Sequence, residues 1–201
     1  MAPRNWTLKK TLPYILIIGG LIGVFCSFAL SQDKLTLAAH PNAHLGCSLN
    51  PVVSCGTTLK SAQGEAFGFP NPFLGLAAYA AVLTIGITMT AGAKFKRWFW
   101  LVVEGGLLFA MIFLSWLFYQ SLYNLHILCP YCLGTDAATI PMFWYVTLYN
   151  IDQGNIKLPV GRAKKAYKWV RSHHLDLLVL AYLLIFFWIM KHFWYYYGRN
   201  L

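Results

Sequence analysis

Charge is what this sequence has least of. Of its 201 residues only 11% are Asp, Glu, Lys or Arg, against 58% hydrophobic and 17% aromatic. A water-soluble domain carries roughly a quarter charged residues, so the chain has too little polar surface to clothe a soluble core. Other absences narrow the chemistry. There is no Gly-rich dinucleotide fingerprint. The Cys-x-x-Cys pair in "HILCPYCLG" (His126 to Gly134) is followed by Leu133 and not by His, which removes c-type haem attachment. No A-x-A cleavage site closely follows the first apolar run. That run therefore reads as a retained span and not a signal peptide, although Arg4, Lys9 and Lys10 precede it. There is no internal repeat and no low-complexity tract.

What is present is long apolar runs. A membrane helix needs roughly 20 mainly apolar residues. Five candidates meet that need: Pro13 to Ser31, about Phe73 to Ala93, Trp98 to about Leu122 with Glu104 as its only charge, about Cys132 to Tyr149, and Leu175 to about Trp194. The last has a short uncharged stretch, Leu177 to Met190, and borrows the aromatic run after Lys191. Glu104 lies near one end of its span, where it can snorkel. Trp98 and Trp100 fall at one interface, and Trp116, Tyr119 and Tyr123 at the other, as an aromatic belt would.

The net charge of +10 is a matter of position. Twelve of the Lys and Arg residues fall before span one, between spans two and three, and between spans four and five. Four fall on the opposite side: Lys34, Lys60, Lys191 and Arg199. The richer side is expected to be cytoplasmic. The charge is thus a topology signal, and no nucleic-acid partner is expected; the partner surface is the lipid bilayer.

Four of the five cysteines then face outward, two per loop: Cys47 and Cys55 in the first, Cys129 and Cys132 in the second. Cys26, inside span one, reads as a small apolar packing residue. An outward face is oxidising, so disulfides persist there. Cys47 and Cys55 lie in a loop with Gly46, Pro51 and Gly56 that can bend to present either sulfur. Cys129 and Cys132 stand where span four begins, and a helix N-terminus stabilises a thiolate. Cys132 is expected to lie deeper and Cys129 nearer the water. A two-residue spacing at such a place suits thiol–disulfide exchange. Two inert structural disulfides are a competing reading, although a Cys-x-x-Cys ring staples little chain. A four-cysteine zinc site is another, disfavoured by the oxidising face; no metal is expected. A redox relay without haem or dinucleotide calls for an acceptor that lives in the bilayer, and a lipid-soluble quinone between helices beside Cys132 meets that need. His40, His44 and His126 either tune the thiolates or serve as ordinary interfacial polar residues.

The pair Cys47-x7-Cys55, Ser61 six residues later, "GFPNPFLG" entering span two, and Cys129-Pro-Tyr-Cys132 at the start of span four together resemble the vitamin K epoxide reductase family, over roughly residues 12 to 150. The fifth span is similar to the bacterial branch, where it leads to an outward thioredoxin-like domain; that domain is expected to be either a separate protein or a part beyond the sequence that ends at Leu201. The resemblance implies a thiol:quinone oxidoreductase that supports disulfide bond formation. Cys47 would exchange with a thioredoxin-like, DsbA-like outward carrier, Cys55 would pass electrons to Cys129, and Cys132 would deliver them to a quinone of the ubiquinone or menaquinone type. It implies that Asn71 hydrogen-bonds a quinone carbonyl and that Ser61 orders the nearby loop. Asn71 also reads as an N-cap, with Pro72 at the first helical position. The vertebrate enzyme has a tyrosine four residues after its second active cysteine, where this chain has Asp136. That carboxyl either compensates the helix dipole or exchanges protons with the reduced quinone, and epoxide reduction does not carry over.

The expected fold is an all-α membrane protein. A four-helix catalytic bundle occupies 1–150, with a long outward cysteine loop at 32–70 between helices one and two and a short amphipathic helix near Leu59 to Phe67. A basic cytoplasmic linker at 151–174 and a fifth transmembrane helix with an outward tail at 175–201 complete it, in a bacterial inner or plasma membrane. Two alternatives differ in kind. The B-type bacterial disulfide-forming quinone reductase carries its Cys-x-x-Cys in the first outward loop instead of the second. A non-catalytic scaffold or transporter with structural disulfides would tend to place ionisable residues at mid-membrane depth.

Overall fold

The computed structural model describes residues 8–48, 50, 52–157, 161–194 and 198. It divides into two units, one spanning Thr7–Asn155 and one that includes Ile156–Leu201. The first holds five helices: α1 (Leu8–Ala39), α2 (Cys55–Lys60), α3 (Asn71–Thr90), α4 (Arg97–Gln120) and α5 (Pro130–Asp152). The second holds α6 (Arg162–Ser172) and α7 (His174–His192). The protein is all-α, and a single bridge between Val53 and Leu128 is the β-type pairing among the described residues.

The 32 residues of α1 make a helix of about 48 Å at the usual rise. The hydrocarbon core is about 30 Å thick, so the last turns, which carry Asp33 and Lys34, extend beyond it. Leu12, Leu16, Gly19, Gly20, Gly23, Cys26, Ser27 and Leu30 are buried along α1, a spacing of three and four that makes one inward face. The glycines set how closely its neighbours come. A Cβ on Gly20 would stand 2.9 Å from the Leu83 backbone of α3, and one on Gly19 would stand 2.6 Å from the Met142 sulfur of α5. Small residues at helix contacts are how membrane helices gain packing when lipid is as apolar as the interface.

Four helices have the length and apolarity of membrane spans: α1, α3, α4 with its continuation to Leu125, and α7. The fourth expected span, α5, has 23 residues and is long enough, yet it is less apolar. Its polar side chains turn inward. Thr135, Thr139 and Asn150 are buried. The Tyr79 hydroxyl of α3 lies 2.7 Å from Thr139 Oγ1 and donates to the Thr135 carbonyl at 3.3 Å. A central helix can carry such groups through lipid when every one is bonded inside the bundle.

Glu104 does not snorkel. Its two carboxylate oxygens accept from Thr147 Oγ1 at 2.6 Å and from Asn150 Nδ2 at 3.0 Å, tying α4 to α5. Asn155 Nδ2 donates to Asn150 Oδ1 at 2.8 Å, and Arg97 Nε to the Asn155 carbonyl at 3.0 Å, which extends the network to the start of α4. Trp100 likewise leaves the expected aromatic belt. It is buried, with its ring 4.6 Å from that of Tyr149, while Trp98, Trp116, Tyr119 and Tyr123 are exposed as expected.

In the second unit the basic segment expected as a linker is largely helical. Lys164, Lys168 and Arg171 fall on one face of α6, and Ala163, Ala166, Tyr167 and Val170 on the other. No residue of α7 is buried, as suits a helix whose faces meet lipid. Arg4 of the charge count and the expected tail beyond Trp194, Gly198 apart, lie outside the described residues, as does Pro51 of the cysteine loop.

Candidate active site

The cysteine loop is folded down on the end of α1, more tightly tied than a bending loop would be. Lys34 Nζ donates to the Leu59 carbonyl at 2.7 Å and pairs with Glu65 at 2.8 Å. Lys60 Nζ donates to the Pro41 carbonyl at 2.6 Å. Asn50 Oδ1 accepts from the backbone N–H groups of Val52 and Val53, an Asx-type turn. The expected amphipathic helix is split in two: α2 stops at Lys60, and a 3₁₀ turn covers Ala62–Glu65. Ser61 makes the joint. Its hydroxyl donates to the Thr58 carbonyl at 2.7 Å and accepts from Gly64 N at 3.3 Å.

The second cysteine segment is brought against the first by backbone pairing. After α4 the chain makes a π-turn over Ser121–Leu125 and reverses at His126, whose φ of 53° lies in the left-handed region. That region is uncommon outside glycine but more open to His than to branched residues. Leu128 N then donates to the Val52 carbonyl at 2.7 Å, and Ser54 N donates to the Leu128 carbonyl at 3.0 Å. Cys55 opens α2 one residue after this pairing, and Cys129 precedes α5 one residue after it. The register thus delivers both sulfurs to one place.

Cys47, Cys55 and Cys129 share one buried cluster with Leu30, Leu37, Leu45 and Leu59, and Cys132 and Tyr131 pack against it. Cys47 and Cys55 are joined by a disulfide, with Cα atoms 5.7 Å apart. Cys129 and Cys132 are free thiols. Cys47 is 7% exposed and Cys55 fully buried, so Cys47 is the more accessible of the loop pair.

Within the helix pair the placement differs from expectation in one respect. Cys129, expected nearer the water, is only 2% exposed and belongs to the cluster under the loop, so it is itself covered. It is the N-cap of α5: Pro130 takes the first helical position, and Cys129 Sγ accepts from Cys132 N at 3.4 Å. The helix N-terminus therefore acts first on Cys129. Its thiol is held below the ordinary value, most of all by the hydrogen bond from the Cys132 side chain, then by the Cys132 and Tyr131 backbone N–H groups, against the opposing effects of burial and the Asp136 charge.

Cys129 and Cys132 both line an apolar cavity of about 490 Å³. Its walls come from α1, α3, α4 and α5 and from the α2 region above. Asn71, Asp136, Thr135 and Thr139 supply polar groups to its lining, and Phe109 and Phe113 of α4 supply aromatic side chains. A cavity of this size and character suits an apolar ring compound held by a few polar contacts.

Asn71 is the first residue of α3, and Pro70 is the N-cap, one position earlier than expected. Its side chain does not cap its own helix. Asn71 Nδ2 donates to the Gln63 carbonyl at 2.6 Å, and its Oδ1 accepts from Ala66 N at 3.2 Å. The amide has a second N–H. Asp136 lies on the wall one turn beyond Cys132. Ser61 does not line the cavity; its neighbours Thr58, Leu59, Gln63 and Gly64 do. His126 is exposed at the chain reversal.

One residue escaped sequence reasoning. Asp33, on the extension of α1, has its Oδ2 3.3 Å from Cys47 Sγ. Asp33, Cys47 and Cys55 present their ligand-type atoms within 4.8 Å of one another, but the two sulfurs are bonded to each other and so are not thiolate ligands. A polar residue following a span by two positions carries no sign of a contact 14 residues away.

Compared with protein families, the chain matches the model of the vitamin K epoxide reductase family over residues 14–147. A comparison with curated proteins found no match.

Proposed function

The chain belongs to the vitamin K epoxide reductase family, a family of membrane oxidoreductases, and from that premise we propose that it carries electrons from a dithiol carrier outside the membrane, through two cysteine pairs, to a quinone. The single observation that carries the reading is that Cys129 belongs to the buried cluster that holds Cys47 and Cys55 and also, with Cys132, lines one apolar cavity.

The relay follows from accessibility and from helix electrostatics. A thioredoxin-like, DsbA-like carrier attacks Cys47, the more exposed sulfur of the loop disulfide, and leaves both loop cysteines reduced. With the helix pair oxidised, Cys55 attacks Cys129, and Cys132 departs as a thiolate. Cys47 then attacks Cys55, the loop disulfide re-forms, and Cys129 departs as a thiolate that its N-cap position stabilises. Cys132 faces the cavity, and a bound quinone supplies the two-electron acceptor there. Asn71 offers its second N–H to a carbonyl oxygen, Asp136 exchanges protons with the reduced quinone, and Ser61 keeps the loop above it in order. The placement is in a bacterial inner or plasma membrane, with the cysteines outward.

The test is quinone reduction by purified protein given a reduced thioredoxin-like protein. The wild-type chain should turn over with ubiquinone or menaquinone analogues, and Cys132→Ala should abolish quinone reduction while Cys47 still exchanges with the carrier. Single-turnover reduction by pre-reduced protein decides the order: if Cys132→Ala still reduces quinone and Cys129→Ala does not, the terminal sulfur is Cys129 and the relay is wrong.

A further inference from the structure

We propose that Asp33 is the catalytic base of the loop pair, taking the Cys47 proton as that sulfur attacks a disulfide. The carboxylate is at hydrogen-bond distance from the reacting atom, with Asp33 Oδ2 3.3 Å from Cys47 Sγ. The contact is built by the fold and not by local sequence, since 14 residues separate the two. It exists because α1 continues beyond Ser31 and the loop is clamped against that extension.

The need for a base comes from burial. Only the thiolate is a competent nucleophile, and Cys47 is 7% exposed in the disulfide, so a thiol proton released at that position on reduction has little direct access to water. Asp33 is half-buried and can pass the proton on. Of the other charged or titratable groups on the packed elements, the two lysines are engaged, and Cys55 and Cys129 belong to the cysteine cluster. Lys34, on α1, bonds Leu59 and Glu65. Lys60, on α2, bonds the Pro41 carbonyl. Cys55 is the disulfide partner. His40 and His44 lie on the intervening loop.

In turnover the step balances within the chain, and here it rests on the relay proposed above. The Cys47–Cys55 bond forms and the Cys55–Cys129 bond breaks. The Cys47 proton goes to Asp33, and the electron pair leaves with the Cys129 thiolate. The loop pair is oxidised and the helix pair is reduced by the same two electrons.

The decisive experiment isolates the Cys47 step from the relay. In full-length Cys55→Ala protein, reduced Cys47 is mixed with oxidised glutathione, and the mixed disulfide is followed by mass across pH 6 to 9. A Cys47–glutathione bond forms, the glutathione disulfide breaks, and glutathione thiolate leaves. With Asp33 present the rate should change little over the lower part of that range. With Asp33→Asn it should fall by about 10- to 100-fold at the acid end, the range of a modest general-base effect, and climb with pH as solvent generates the thiolate. Asp33→Glu should restore most of the rate. A merely structural Asp33 would lower the rate by the same factor at every pH, and that result, or no change at all, overturns the proposal. Repeating the comparison with otherwise wild-type protein and a soluble quinone separates the two readings. If the glutathione pattern holds but quinone never reoxidises the loop pair, the relay fails and Asp33 remains the base of Cys47.

Discussion

Asn71 and Cys129 each do two things with one side chain. Asn71 fastens the 3₁₀ turn to α3 and also stands on the cavity wall. Replacing it with Ala should slow single-turnover quinone reduction by something like 10- to 100-fold, from the loss of about 1.5–3 kcal/mol for a hydrogen bond to a group gaining charge. Carrier exchange at Cys47 should persist. If both steps fall together, Asn71 acts by holding the loop and not by contacting quinone. Cys129 is both a core residue and an N-cap. In the reduced protein its thiolate should persist below the ordinary cysteine pKa, and a thiolate absorbance titration should lose that transition in Cys129→Ala. The linkage sign follows. A folded pKa below the unfolded one stabilises the reduced fold above the unfolded value, and this contribution is lost as pH falls through the folded value. Both residues were legible as candidates in the sequence. Their partners were not, because a side chain's hydrogen bonds depend on which backbone the fold brings near.

At the scale of elements, hydropathy located α1, α3, α4 and α7 to within a few residues except at the ends of α1, where helix continues well past the apolar stretch. The extension carries Asp33 and Lys34, so the part least visible in hydropathy is the part that seats the cysteine loop. The loop itself divides at Ser61, where the hydroxyl and backbone end one helix and start the next turn. No apolar periodicity announces such a joint. Glu104 teaches the opposite lesson: a lone acid in a span reads as a snorkelling residue until its partners, 43 and 46 positions away, are known. Glu104→Ala removes two hydrogen bonds between α4 and α5 and should destabilise that contact by about 1–3 kcal/mol, with Thr147 and Asn150 keeping their bonds to the Phe143 and Trp100 carbonyls. Thermal unfolding in detergent measures this. Glu104→Gln, which keeps one acceptor oxygen, should lose less; equal losses would mean that the charge and not the hydrogen bonding matters.

For the whole molecule, the number of crossings decides which side each end faces, and α5 decides the number. Counted by apolarity alone there are four spans, and an even count returns both termini to the same side. Counted by structure, α5 makes a fifth: 23 residues at the usual rise give about 34 Å, enough to cross. Thr135, Thr139, Thr147 and Asn150 are bonded to Tyr79, Glu104 and neighbouring backbone, so lipid does not meet them unsatisfied, whereas the buried Trp144 Nε1 has no hydrogen-bond partner among the described residues. An odd count places the termini on opposite sides. With the Lys- and Arg-rich side taken as cytoplasmic, twelve against four, the proposed orientation has the N-terminus and the basic α6 region inside, with Cys47 and Leu201 outside. A reporter active only outside the cytoplasm should therefore work when fused after Leu201 and fail when fused after Asp152. An impermeant thiol reagent should reach Cys47 of the reduced protein from outside, slowly, since that sulfur is nearly covered. A cytoplasmic signal at Leu201 together with an outside signal at Asp152 would mean that α5 does not cross. The cavity would then lose one of its four walls, and a quinone site within the bundle would have no basis.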